Sequence, residues 1–269
     1  MTFSLSFSAT FPHKKSHAGF TLVELAIVLM IIGLLIGGIL RGQELLQNAR
    51  ISSTIQQAKA YEGATVTFLD AFQAMAGDIA TATTRIPGCE TGNTNFCING
   101  NGNGILGVSN GNAATYQGGT GGEKAETTQF WKHLALAHLI SGITPSANPA
   151  DPVWGETHPA GKLRGGFQAM YMTGIGNISV NSPSGLYLRL QGPATRTFGN
   201  ATGCSVSPCA STEATSPKEG WMIDTKMDDG RPNDGGVLSD DQGGGQSGCE
   251  TVYKVTEEGA ACIMFFKVI

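Results

Sequence analysis

Twenty-one consecutive residues, Phe20 to Leu40 (FTLVELAIVLMIIGLLIGGIL), carry one charged side chain, Glu24. As a helix this run is about 31 Å long at ~1.5 Å per residue, which matches the ~30 Å hydrocarbon layer of a bilayer. A secretory signal has an apolar core of roughly 7–15 residues and a small-residue cleavage site. This core is longer, and Gly37-Gly38-Ile39-Leu40-Arg41 lacks such a site. A plain membrane anchor fits the length but leaves Glu24 unexplained. A carboxylate within a span costs roughly 2.5–3.5 kcal/mol at the centre and less near an end. Glu24 therefore requires a partner that offsets this cost.

The charges ahead of the run set its direction. Lys14 and Lys15 are the only charged residues among the first 19, which leaves 15 basic and 21 acidic side chains from Phe20 onward. The positive-inside bias keeps the lysines in the cytoplasm and places residues after about 41 outside it. The acidic balance weighs against a dedicated nucleic-acid binder, whose affinity rests on neutralising phosphates. Cys89, Cys97, Cys204, Cys209, Cys249 and Cys262 all follow the apolar run. An even number in Gly/Asn/Ser-rich surroundings predicts disulfides in an oxidising compartment. No C-x-x-C pair is present to argue for zinc. Local closure pairs Cys89 with Cys97, Cys204 with Cys209, and Cys249 with Cys262.

The stretch Ala18-Gly19-Phe20-Thr21-Leu22-Val23-Glu24, behind its basic leader, resembles the signal of type IV pilins and type II secretion pseudopilins. The resemblance implies that a prepilin peptidase cuts between Gly19 and Phe20 on the cytoplasmic face and N-methylates Phe20. It also implies that Glu24, fifth in the mature chain, pairs with a neighbouring subunit's N-terminal amine during assembly. The implied partners are prepilin peptidase, other pilin or pseudopilin subunits, and the inner membrane before assembly. The implied location is an inner-membrane single pass with a periplasmic head, then a pilus or pseudopilus filament, or the cell surface. Two features depart from many relatives: the 19-residue leader is long, and no proline lies between Pro12 and Pro87. Gly33, Gly37, Gly38 and Gly42 are the weak points of the helix instead.

The rest reads as an α+β chain: a long N-terminal helix, half membrane-spanning and half amphipathic, packed on a C-terminal antiparallel sheet with long loops. The expected divisions are a leader at 1–19, an assembly helix at 20–40, its amphipathic continuation at 41–76, and a head at 77–269. Ile51, Ile55, Ala58, Thr65, Phe68, Phe72 and Met75 form the stripe that packs on the head, with Glu62 as its break. Residues 123–142 (EKAETTQFWKHLALAHLISG) read as an amphipathic helix with Trp131, Leu134 and His138 on one side. Residues 167–175 and GLYLRLQG at 185–192 read as strands. Residues 251–269 read as two strands about a Glu-Glu-Gly-Ala turn, braced by Cys249 and Cys262. Residues 221–241 (WMIDTKMDDGRPNDGGVLSDD) read as an acidic loop.

Within that loop Asp228, Asp229 and Asp234 are the candidate calcium ligands, as hard oxygen donors. Their spacing is not the twelve-residue calcium loop, and Asp-Gly and Pro-Asn pairs also serve as turn formers. Some pseudopilins bind calcium in a C-terminal loop, which favours it by resemblance alone. No other cofactor is expected. Gly102-x-Gly104-x-x-Gly107 has the spacing of a dinucleotide fingerprint but neither the strand nor the helix that the fingerprint needs, and reads as a turn-rich loop. His133 and His138 share no helix face, which argues against a metal pair. No nucleophile–base–orienter set can be assembled, so no enzyme is expected. The leading function is a structural filament subunit, with the head's size favouring a minor one. The alternative is an adhesin or uptake-receptor pilin whose head binds a surface or DNA ligand; an exposed aromatic patch or a basic groove on the head would favour it.

Overall fold

The computed structural model describes residues 21–90, 96–106, 126–147, 153–172, 183–192, 214–240, 248–249, 251–257, 259 and 262–269. Gly19, Phe20, Cys204 and Cys209 lie outside the described residues. The chain separates into two compact units, 1–47 and 48–269.

Helix α1 runs Leu22–Phe72. In the first unit every described side chain from Thr21 to Leu40 is exposed, so its apolar surface has no partner among the described residues. In the second unit the helix buries Ile51, Thr54, Ile55, Ala58, Tyr61, Ala64, Thr65 and Phe68, while Glu62 is exposed. The expected helix continued to Ala76. It stops four residues earlier because Gln73 adopts a left-handed backbone, φ 51°. That conformation ends the helix much as a C-terminal glycine would.

The fold of the second unit is α+β. Short helix α2 (Ala82–Arg85) and helix α3 (Glu126–Leu136) precede strands β1 (Gly166–Met172) and β2 (Gly185–Gln191). Helix α4 (Pro217–Met227), β3 (Val237–Asp240) and β4 (Ile263–Lys267) follow. The sheet order is β1-β2-β4-β3, with every pairing antiparallel. Alternation divides the strands between two faces. Phe167, Ala169, Leu186, Leu188, Leu190, Met264 and Phe266 join the core built on the α1 stripe. Met170, Met172, Tyr187, Leu238, Ile263 and Phe265 form a separate buried cluster on the other face. Tyr61 connects helix to sheet, its ring edge-on to Trp131 at 5.0 Å and to Phe167 at 5.3 Å. Such pairs add to the stabilisation from burial itself.

Further expectations are corrected. Helix α3 buries ten of its eleven residues, so it is a core helix and not an amphipathic one. His138 is not on its apolar side: it follows the helix, exposed, with φ 58°. The hairpin at 251–269 is also corrected: among the described residues β4 is the single strand there, and it pairs with β2 and β3. Its neighbour β3 lies inside the segment read as an acidic loop, and that segment opens on α4. The Cys249–Cys262 disulfide ties residue 249 to the start of β4, where Cys262 bridges Thr215, and braces no hairpin. Cys89 and Cys97 are bonded to each other.

Candidate functional site

Helix α1 begins with its own lock. The Glu24 carboxylate Oε2 accepts hydrogen bonds from the Thr21 N–H and the Thr21 hydroxyl, both at 2.9 Å. The Glu24 N–H donates to Thr21 Oγ1 at 3.2 Å. This is a reciprocal capping box, which satisfies donors that a helix start otherwise leaves open. The carboxylate also sits at the positive end of the helix dipole. Glu24 Oε1 makes no hydrogen bond among the described residues. One oxygen thus holds the helix start while the other can meet an external cation.

The acidic segment folds differently from the expected ligand set. Ser216 caps α4: its hydroxyl accepts from Glu219 N–H at 3.2 Å, and Glu219 Oε2 accepts from Ser216 N–H at 2.8 Å. Pro217 occupies the first turn. The signal Ser-Pro-Lys-Glu was legible as a helix start and was missed. The helix carries Asp224 towards Asp228 and Asp229, whose oxygens lie within 4.8 Å of one another. Asp234 is not in that group. It accepts from Gly235 N–H at 2.9 Å and faces Arg231 at 3.9 Å. The gathered oxygens already serve the fold. Asp224 accepts from Gly230 N–H at 3.1 Å and from the Tyr253 hydroxyl at 3.0 Å. Asp228 accepts from the N–H groups of Gly236 and Val237, and Asp229 from Arg231 N–H.

Burial pushes the Asp224 carboxyl up to about 7, with the neighbouring Asp229 and Asp228 charges adding to the rise against its two hydrogen bonds. The folded carboxyl therefore holds its proton where the unfolded one has lost it. Its stabilising contribution is full below about pH 4 and disappears as pH rises through about 7. Asp224→Asn, which mimics the protonated form, should stabilise the detergent-solubilised protein at pH 8 by on the order of 1–2 kcal/mol, allowing for solvent screening. It should change little at pH 4. Urea midpoints at the two pH values check this, and equal shifts at both would contradict it.

Trp221 of α4, 43% exposed, lines an open, mostly apolar groove with Pro232, Val252, Tyr253 and Val255. Arg231 is the one charged residue among the described residues of that lining.

His133 of α3 fastens the end of α1 to the loop after Cys97. Its Nδ1 accepts from Gly77 N–H at 2.9 Å, so the proton resides on Nε2, which donates to Ile98 O at 3.0 Å. Burial holds this imidazole down at about 4. His133 is thus a structural link with both ring nitrogens engaged, not half of a metal pair with His138.

An exposed apolar helix with one carboxylate in its first turn, continued by an α+β unit, defines a class: chains whose N-terminal helix must be covered by lipid or by other helices. Residues 14–40 match the family model of the prokaryotic N-terminal methylation motif. These residues carry the N-terminal signal of type IV pilins and pseudopilins. The signal implies processing by a prepilin peptidase and assembly with other pilin subunits. No curated protein and no solved structure matches the chain.

Proposed function

We propose that the chain is a filament subunit, a pilin or pseudopilin of the less abundant kind, polymerising through its N-terminal helix after cleavage between Gly19 and Phe20. The observation that carries the reading is Glu24, the single charge of the apolar run 20–40 that follows the basic leader within the match at 14–40. Before assembly the helix lies in the inner membrane, and in the filament it packs on the corresponding helices of neighbours. Glu24 then meets a neighbour's N-terminal amine through Oε1 while Thr21 retains Oε2.

Mass spectrometry of the N-terminal peptide, from sheared filaments and from membranes, tests this. A peptide that begins at methylated Phe20 in the filament fraction, substoichiometric to the major subunit, is the expected result. The same peptide confined to membranes would move the assignment to a pseudopilin or an initiation subunit. Intact residues 1–19 in both fractions would overturn it.

A further inference from the structure

The loop after the first disulfide reads Asn99-Gly100-Asn101-Gly102-Asn103-Gly104, three successive Asn–Gly pairs. In this dipeptide the glycine nitrogen, once deprotonated, attacks the preceding asparagine Cγ. Ammonia leaves and a succinimide forms, and water then opens the ring to aspartate or isoaspartate. The net change consumes one water and releases one ammonia. Reaction needs a glycine N–H free to ionise and able to approach Cγ.

The fold holds all three nitrogens. Gly100 N–H donates to Ile79 O at 2.9 Å. Gly102 N–H is shared between Asp78 O and Asp78 Oδ1, each at 2.8 Å. Gly104 N–H donates to Asp78 Oδ2 at 2.8 Å. Asp78 is 3% exposed, so its charge sits in low-dielectric surroundings and opposes an amide anion forming beside it. The asparagine side chains are drawn elsewhere. Asn101 Oδ1 accepts from Asn103 N–H and Asn103 Oδ1 from Ile105 N–H, both at 2.9 Å. Asn99 Oδ1 accepts from Thr83 N–H at 2.9 Å. A Cβ at residue 100 would lie 2.4 Å from Gly77 O, so the close passage past Asp78 needs glycine there.

We propose that this loop is a guarded deamidation site, with Asp78 as the guard at Asn101 and Asn103 and Ile79 O as the guard at Asn99. Opening of the head releases the nitrogens, and the loop converts that opening into a permanent isoaspartate mark. The guards differ in what removing the carboxylate undoes: Gly102 retains Asp78 O, Gly100 retains Ile79 O, and Gly104 has the side chain alone.

The full chain purified in detergent is incubated at neutral pH, native or unfolded in urea, and each asparagine is followed by peptide fragmentation for isoaspartate. Asn110–Gly111 supplies a fourth pair as reference in the unfolded chain. Native protein is expected to react roughly ten- to hundredfold more slowly at all three positions than urea-unfolded protein. Asp78→Asn, which keeps one acceptor oxygen, is expected to accelerate Asn103 ahead of Asn101 while Asn99 stays slow. Equal native and unfolded rates overturn the proposal. So does a folded Asp78→Asn protein with Asn103 unchanged or with all three asparagines rising together. If that variant fails to fold, the wild-type comparison decides.

Discussion

Glu24→Ala should remove the chain from filaments while leaving leader cleavage largely intact. On the proposed reading, processing falls at the Gly19–Phe20 junction, five residues from the substituted side chain, whereas assembly has to place Glu24 among apolar helices. In the membrane before assembly the Thr21 capping box and a position near the end of the span limit its cost. Within a bundle of helices the carboxylate is desolvated and needs a cation beside it. Alanine removes the pairing and so the preference for one docking register. Each 1.4 kcal/mol of lost interaction is about tenfold in an equilibrium, and a desolvated hydrogen-bonded charge pair is worth ~2–5 kcal/mol when truncated. Recovery in sheared filaments should therefore fall at least about thirtyfold, with processed chain accumulating in membranes. Immunoblots of the two fractions check this. Wild-type amounts of the alanine variant in filaments would show that Glu24 has no assembly role.

The N-terminal signal was legible because its parts lie within one helical turn of each other or a short leader away. Burial of Ile51, Ile55, Ala58, Thr65 and Phe68 was legible for the same reason, since a period of 3.6 is a local property. Strand β2 announced itself through Leu186, Leu188 and Leu190, and the two observed disulfides close loops of 8 and 13 residues. What escaped is decided at longer range. Strand β3 is four residues, Val-Leu-Ser-Asp, behind a double glycine, and is a strand because β4 offers it an edge. The two strands assigned to 251–269 had a turn signal between them but no competing knowledge of β2 and β3. The grouping of Asp224 with Asp228 and Asp229 depends on α4, whose Ser216–Glu219 box was local and readable. Asp234 was included because acidic spacing alone cannot say which carboxylates a turn brings together. The stretch Gly102-x-Gly104 was read as a turn-rich loop, but its partner, Asp78, is 24 residues before Gly102 and has no local signature.

That partnership sets the largest expected effect on stability. Asp78→Ala should destabilise the protein by about 3–5 kcal/mol, because it removes three charge-assisted hydrogen bonds and strands their donors. The bonds come from Gly102 and Asn103 N–H to Oδ1, at 2.8 and 3.1 Å, and from Gly104 N–H to Oδ2 at 2.8 Å. They fasten a loop whose remaining ties include Asn101 N–H to Glu126 Oε1 at 2.8 Å. Loop and α3 thus meet the chain just past α1 through two carboxylates, both at most 4% exposed, and losing one leaves backbone donors without an acceptor. Asp78→Asn keeps one acceptor and should lose roughly half as much. Asp70→Ala, at an exposed helical aspartate, is the control and should stay within about 0.5 kcal/mol of wild type. Urea midpoints at constant m measure all three. An Asp78→Ala midpoint no lower than that of the Asp70 control would mean that the loop holds its course without the carboxylate, and that glycine conformation alone shapes it.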